Sequence, residues 1–257
     1  MMRQLQNQWR YFLTAVMFFT RVPVRFEKFE ASDLNRATRF FPLVGIFVGA
    51  IAALAFWIFQ LALPLETAII LSMATSVLLT GAFHEDGLAD AIDGLGGGWE
   101  REQVLAIMVD SRIGSYGVIG LVLVLLAKYQ VLSSLNVLQI PIALIAAHAL
   151  SRWCAVLVMA TQRYVKAEGK SKPLATQLSR LELVIATFFG LLPLLLIGTA
   201  GLVALLPVFF VWVWFSLKIK RRIGGYTGDC LGAMQQLTEV SFYIGLLASA
   251  TLLVRFV

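Results

Sequence analysis

The sequence predicts an all-α protein, a polytopic bundle of membrane-spanning helices, and three observations predict it. Of its 257 residues 59% are hydrophobic and only 14% charged, with a mean hydropathy of +0.82. Soluble domains sit near 45–50% apolar and about 25% charged. Several uncharged runs are long enough to cross roughly 30 Å of hydrocarbon, which takes about 20 residues of helix. The cations, finally, gather in alternate connections between those runs. Together these exclude a soluble enzyme, a disordered chain and a disulfide-rich scaffold. The net charge of +6 does not call for nucleic acid, because membrane loops collect Lys and Arg for their own reason. Cys154 and Cys230 lie in unlike contexts and indicate neither a disulfide framework nor a Cys metal site.

Taken in order, Tyr11 to Phe19 is an apolar run behind Arg3 and Arg10, too short to span. It lacks a small-residue cleavage site and reads as an amphipathic helix at the membrane interface. Spans follow over residues 40–65, 67–83, 113–135 and 141–161. The 35 charge-free residues 183–217 are too long for one span and suit two, turning at Gly198 to Gly201. Residues 240–257 close the series, making about seven spans in a single membrane domain. Lys128 and Arg255 read as snorkelling anchors.

Residues 1–39, 84–112, 163–182 and 218–239 carry 18 Lys and Arg, whereas the connections near 64–66, 136–140 and 198–201 carry none. By the positive-inside rule the four long segments, with the N-terminus, are cytoplasmic.

One of those segments breaks the basic pattern. Residues 84–112 hold seven acids against two arginines, starting with His84-Glu85-Asp86-Gly87-Leu88-Ala89-Asp90-Ala91-Ile92-Asp93-Gly94. On a helix, Asp86, Asp90 and Asp93 fall at about 0°, 40° and −20°, one narrow face. Three carboxylates so placed repel one another unless a cation neutralises them, and hard oxygen ligands suit Mg²⁺. The missing side chain at Gly87 would let a phosphate approach the backbone. Gly94 and Gly96 to Gly98 would end the helix in a phosphate-sized loop. The plainer reading is a solvated acidic loop whose glycines make turns.

Two further polar nodes lie on the same side. Asp110-Ser111-Arg112 leads into a span and offers an acid, a hydroxyl and a cation. Arg112 reads equally well as a cytoplasmic anchor. Thr227-Gly228-Asp229 lies in a Gly-rich turn before the last span and suits phosphate or metal. Inside the fourth span His148 and Arg152 share a face. An arginine at that depth costs roughly 2.5–3.5 kcal/mol on insertion scales and should face protein or a wet cavity. Arg152 pairs either with an anionic ligand or, structurally, with one of the aspartates. His84 is open as a base, a ligand or a phosphate partner.

With these residues in hand, the chain resembles the cobalamin synthase family, the adenosylcobinamide-GDP ribazoletransferases. Its main signature, HLDGLADTxDG, is matched by His84 to Gly94 as HEDGLADAIDG. Matching blocks follow at Phe41-Pro42-Leu43-Val44-Gly45, Asp110-Ser111-Arg112-Ile113-Gly114, Ser151-Arg152 and Gly224 to Ala233. Glu85 and Ala91 depart from the pattern, which gives neither a family role. The resemblance implies a multi-pass, Mg²⁺-dependent protein of the bacterial inner membrane. It would join adenosylcobinamide-GDP to α-ribazole or its 5′-phosphate and release GMP, the last step of nucleotide-loop assembly. Partners beyond the bilayer and these substrates would be a second copy of the chain and neighbouring enzymes of the corrinoid pathway.

On that reading the catalytic candidates are His84, Asp86, Asp90, Arg112 and Arg152. Candidate metal ligands are Asp86, Asp90, Asp93, Asp110 and Asp229. Gly87, Gly94, Ser111, Thr227 and Gly228 would bind phosphate or substrate. Two other classes stay open: a CDP-alcohol-type phosphotransferase, whose DGxxAR pattern is matched without its arginine, and a cation or metabolite transporter. Against the transporter, no acid lies within a predicted span.

Overall fold

The computed structural model describes residues 2–24, 31–165 and 178–255, with side chains over 6–24, 33–165 and 178–250. Helix α1 (Met2–Phe19) is amphipathic, burying Tyr11, Ala15, Val16 and Phe19 while Trp9 is exposed. It rests on α2 (Ala31–Ala37), to which the Arg10–Asp33 ion pair ties it, and on α3 (Phe41–Gln60). Pro42 sits in the first turn of α3, where its missing N–H costs nothing. Next comes α4 (Leu65–Thr80), after Pro64. Gly81 and Ala82 then both take left-handed backbone, which turns the chain by 87° into α5 (Phe83–Gly97). Ala82 is the one described non-glycine residue at positive φ. The acidic helix is thus set at a right angle to the apolar helix before it.

A capping box between Glu100 and Gln103 starts α6 (Arg101–Val109), and α7 (Ser115–Ser134) and α8 (Ile140–Thr161) follow. Ser179 and Glu182 form a second capping box, opening α9 (Arg180–Leu191). A 3₁₀ turn over Leu192–Leu196 leads to α10 (Thr199–Ile223), and α11 (Gly228–Arg255) ends the described chain.

Four helical stretches are long and apolar enough to cross a membrane: Asp33–Gln60, Ser115–Ser134, Ile140–Thr161 and Thr199–Ile223. The bent pair α4–α5 is a fifth candidate. The predicted pair of spans in 183–217 takes a different form. At 12 residues α9 is about 18 Å long and cannot cross alone. α10 instead runs past Leu217 to Ile223, because Lys220, Arg221 and Arg222 suit the negative end of a helix dipole. α11 likewise starts twelve residues before the predicted span, at Gly228.

Helix packing depends on small residues. α3 packs most extensively on α8, and a Cβ on Gly49 would lie 2.7 Å from the Ile145 Cα. Gly45, four residues earlier, meets the His148 carbonyl in the same way. Such a pair of glycines lets two backbones approach closely where lipid offers no hydrophobic drive. Outward faces carry Leu54, Trp57, Ile58, Leu123, Leu126, Phe209 and Phe210, all exposed. That much exposed apolar surface belongs in lipid.

Contacts between connections place the basic segments at one end of the bundle. Arg101 Nε donates to the Ile223 carbonyl (3.0 Å), and Arg222 donates to Leu95 and Gly98. Arg39 pairs with Glu182 at 2.5 Å. Residues 163–165 bridge to Tyr226 through two backbone hydrogen bonds of 3.0 Å.

Candidate active site at the polar end of the bundle

The acidic motif is helical rather than a loop, but its carboxylates do different things. Asp86 is exposed and Asp90 half-buried. Asp93 is buried, and its two oxygens accept from the backbone N–H groups of Gly114 (2.7 Å) and Gly117 (2.8 Å). It therefore caps α7. A side chain at either glycine would collide with that carboxylate, which explains the glycines of this stretch.

The phosphate roles expected of the glycines change too. α5 continues through Gly94 and Gly96 to Gly97, so no loop opens there. A Cβ on Gly94 would meet the Met108 side chain at 2.6 Å, making Gly94 a packing residue against α6. Gly87 faces protein: a Cβ there would lie 3.1 Å from the Asp229 Cα. Gly232 is its counterpart, 3.1 Å from the His84 carbonyl. This glycine-to-glycine crossing brings the first turn of α11 onto α5 at Gly87, the residue that follows Asp86.

Thr227 is buried, and its hydroxyl accepts from the Cys230 N–H at 3.3 Å and reaches Asp229 Oδ2 at 3.2 Å. That is the geometry of a helix N-cap. Gly228 has open space around its Cα, and Asp229 is half-buried. Nearby, burial raises the Tyr164 hydroxyl's pKa and the Asp229 charge adds to the shift. Burial also pushes Tyr226 up to about 12. Cys154 and Cys230 are both free and buried.

Asp110, Ser111 and Arg112 form the exposed connection from α6 to α7. Arg112 grips Asp110 with two nitrogens, at 3.1 and 2.7 Å. Those hydrogen bonds hold the Asp110 carboxyl down to about 2, so it stays ionised near neutral pH.

His84 and Arg152 lie apart from this face. Two residues from Asp86, His84 points about 200° away round the helix, into the protein, where it stacks on Phe19 at 5.5 Å. Arg152 is 2% exposed, with its guanidinium 5.9 Å from the Phe19 ring. It bonds not to the aspartates but to the ring nitrogen (3.2 Å) and carbonyl (3.0 Å) of His148. Phe18, Phe19, Phe41, His84, Arg152 and Gln235 line a closed recess. Arg152 Nε and His84 Nε2 carry no partner there.

Below the recess lies a charged cluster that the sequence reading missed. Lys128, expected to snorkel, is buried in an ion pair with Glu239 at 2.5 Å. The Arg255 side chain lies outside the described residues. Glu239 is fully buried and also takes hydrogen bonds from Gln235 (2.6 Å) and Tyr243 (3.2 Å), with His148 at 3.4 Å. Gln236 donates to Glu85 of the acidic motif at 2.8 Å. Starting the last span at residue 240 left Glu239 just outside it, although it lies buried 11 residues into α11. The available signal was four-residue spacing: Gln235, Glu239 and Tyr243 share one face.

Among the described residues, no three His, Cys, Asp or Glu side chains are arranged as a ready metal cage. The donor chemistry nonetheless fits Mg²⁺ at Asp86, Asp90 and Asp229. This ion keeps several waters and is commonly held by one or two carboxylates together with substrate phosphates. Asp93 fits less well, with each oxygen already accepting an amide.

Comparison with known proteins gives this geometry its family. No solved structure matches the chain. The chain is 45% identical over 253 residues to an adenosylcobinamide-GDP ribazoletransferase of Ralstonia pickettii, covering 96% of this chain and 98% of that one. Proteins of the same name from Shewanella frigidimarina and Shewanella pealeana are each 46% identical. They cover 94% and 96% of this chain, and 95% and 98% of their own lengths. The family model described as cobalamin-5-phosphate synthase matches residues 11–247, and the chain belongs to that family.

Proposed function

We propose that this chain is an adenosylcobinamide-GDP ribazoletransferase of the bacterial inner membrane, with its N-terminus and polar end in the cytoplasm. The observation that supports this reading is the Gly87–Gly232 crossing, which packs the Asp229 backbone against Gly87 within the acidic motif of a family member. The substrates are adenosylcobinamide-GDP and α-ribazole or its 5′-phosphate. The 18-to-none division of cations between the two sides supports the orientation.

In the reaction a ribose hydroxyl oxygen bonds to the phosphorus next to the corrinoid, the phosphoanhydride bond breaks, and the electron pair leaves on GMP. Bound Mg²⁺ would supply charge neutralisation on the phosphate oxygens. Asp86, Asp90 and Asp229 would provide oxygen ligands to hold it. Arg112 presents an exposed, planar set of donors that matches two phosphate oxygens. Arg152, buried behind Phe19, contributes positive potential from within. His84 is closed off by Phe19 and Phe83, so the hydroxyl proton goes to a carboxylate of the exposed cluster.

The test is GMP release by purified Asp86→Ala and Asp90→Ala. Each should fall at least 100-fold while membrane insertion and unfolding temperature stay as in the parent. Near-normal turnover of either at saturating Mg²⁺ would remove that residue from the site. Turnover of CDP-alcohols, or ion flux in vesicles, would favour the other two classes.

A further inference from the structure

Apart from the aromatic recess, an open cleft of about 1090 Å³ lies at the polar end. It lies between α2, the end of α8, the start of α9 and the end of α10. Its cations come from three of these places: Arg36, Arg163 and Lys220. All three are exposed, and among the described residues none forms an ion pair. Arg36 donates to the Tyr11 hydroxyl (2.6 Å) and Arg163 Nε to the Gly224 carbonyl (3.2 Å). Each thereby has its stem fixed and other N–H groups unspent. Among the described residues of the wall the one acid, Glu182, is taken up by Arg39 and by its own capping box. Leu178 and Ser179 bring the positive end of α9 to the same wall.

Three cations converging on a cavity of this size, with the one acid among its described residues already paired, suit a ligand carrying several negative charges. The cleft borders the aromatic recess and the turn that leads to Asp229. Met159 lines both the cleft and the recess that holds Arg152. Gly224, also in the wall, lies at the start of the short bridged turn leading to Asp229.

We propose that this cleft binds the nucleoside diphosphate arm of the substrate, with Arg36, Arg163 and Lys220 holding its phosphates and nucleoside. This rests on the transferase reading and adds where the leaving group sits. The guanosine end lies in the cationic cleft, and the bond to be broken lies at the inner end, toward Asp229. GMP leaves through the open side. An anionic lipid headgroup offers the same phosphate chemistry, so the test separates the two.

Fluorescent N-methylanthraniloyl-GDP is titrated against the full chain in nanodiscs of phosphatidylcholine alone and of phosphatidylcholine with phosphatidylglycerol. The double variant Arg163→Ala/Lys220→Ala should bind it about tenfold or more weakly in both, since charge-assisted hydrogen bonds are removed. In turnover it should raise KM for the GDP-bearing substrate, leaving KM for ribazole unchanged. Lys218→Ala is the control: Lys218 stacks over Trp214 at 5.2 Å, away from the cleft, and should bind like the parent. Nucleotide affinity within twofold of the parent in the double variant would overturn the proposal. So would a loss confined to phosphatidylglycerol discs, which would make these cations lipid contacts. If the parent turns over and the double variant keeps its KM, the cleft assignment fails and the transferase reading stands. If the parent binds nucleotide in a variant-sensitive way but never turns over, the cleft stands and the transferase reading fails.

Discussion

A carboxylate whose two oxygens both accept backbone amides is first of all a structural cap. Asp93 does this for Gly114 and Gly117 at the start of α7. Asp93→Ala should therefore lower stability by about 1–3 kcal/mol, the cost of leaving buried donors unmet. Mg²⁺ dependence of the remaining activity should not change, whereas Asp86→Ala should alter it. Thermal unfolding in detergent and a Mg²⁺ titration check both, and a raised Mg²⁺ requirement in Asp93→Ala would restore Asp93 as a ligand. The motif was legible from residue types and spacing, since Asp86, Asp90 and Asp93 do lie on one helix. What spacing could not give was the division of labour among them. That depends on which carboxylate meets the end of another helix, 21 and 24 residues away.

Among the elements, α5 and α11 make the contact on which the site depends. A side chain on Gly87 would press on the Asp229 backbone, which cannot move aside as a flexible side chain would. Gly87→Ala is expected to cost about 1–3 kcal/mol through overpacking and to reduce turnover by shifting Asp229. Gly228→Ala, next to Asp229 but with open space around it, should leave the unfolding temperature unchanged. Equal effects of the two would mean that the close crossing does not matter. Read from sequence, Gly87 suggested phosphate binding, because a glycine facing a ligand and one facing a helix look alike until the partner helix is known. Helix boundaries suffered similarly. α10 and α11 extend beyond their uncharged cores, since helices do not stop where apolar composition does.

For the whole molecule, membrane class and the division into polar and apolar ends were legible because they follow from composition and counted charge. The charged interior was not. Lys128 is 13 residues into α7, about 20 Å from its start, and Glu239 is 11 into α11, about 17 Å down. Each looked like an edge residue because its partner is over 100 positions away in the chain. Removing one partner strands a buried charge, so Lys128→Met should cost about 3–5 kcal/mol. Lys128→Met/Glu239→Gln should recover a large part of that, measured as unfolding in detergent. A double variant as unstable as the single would show that the pair is not coupled.

The proposed transfer reaction is tested most directly by GMP release. Purified protein in nanodiscs is given adenosylcobinamide-GDP and α-ribazole, with and without Mg²⁺. GMP is expected only when ribazole and the metal are both present, and that release should be lost in Asp86→Ala. Folded protein that releases no GMP with any divalent metal, or releases it equally well without ribazole, would contradict the transferase reading.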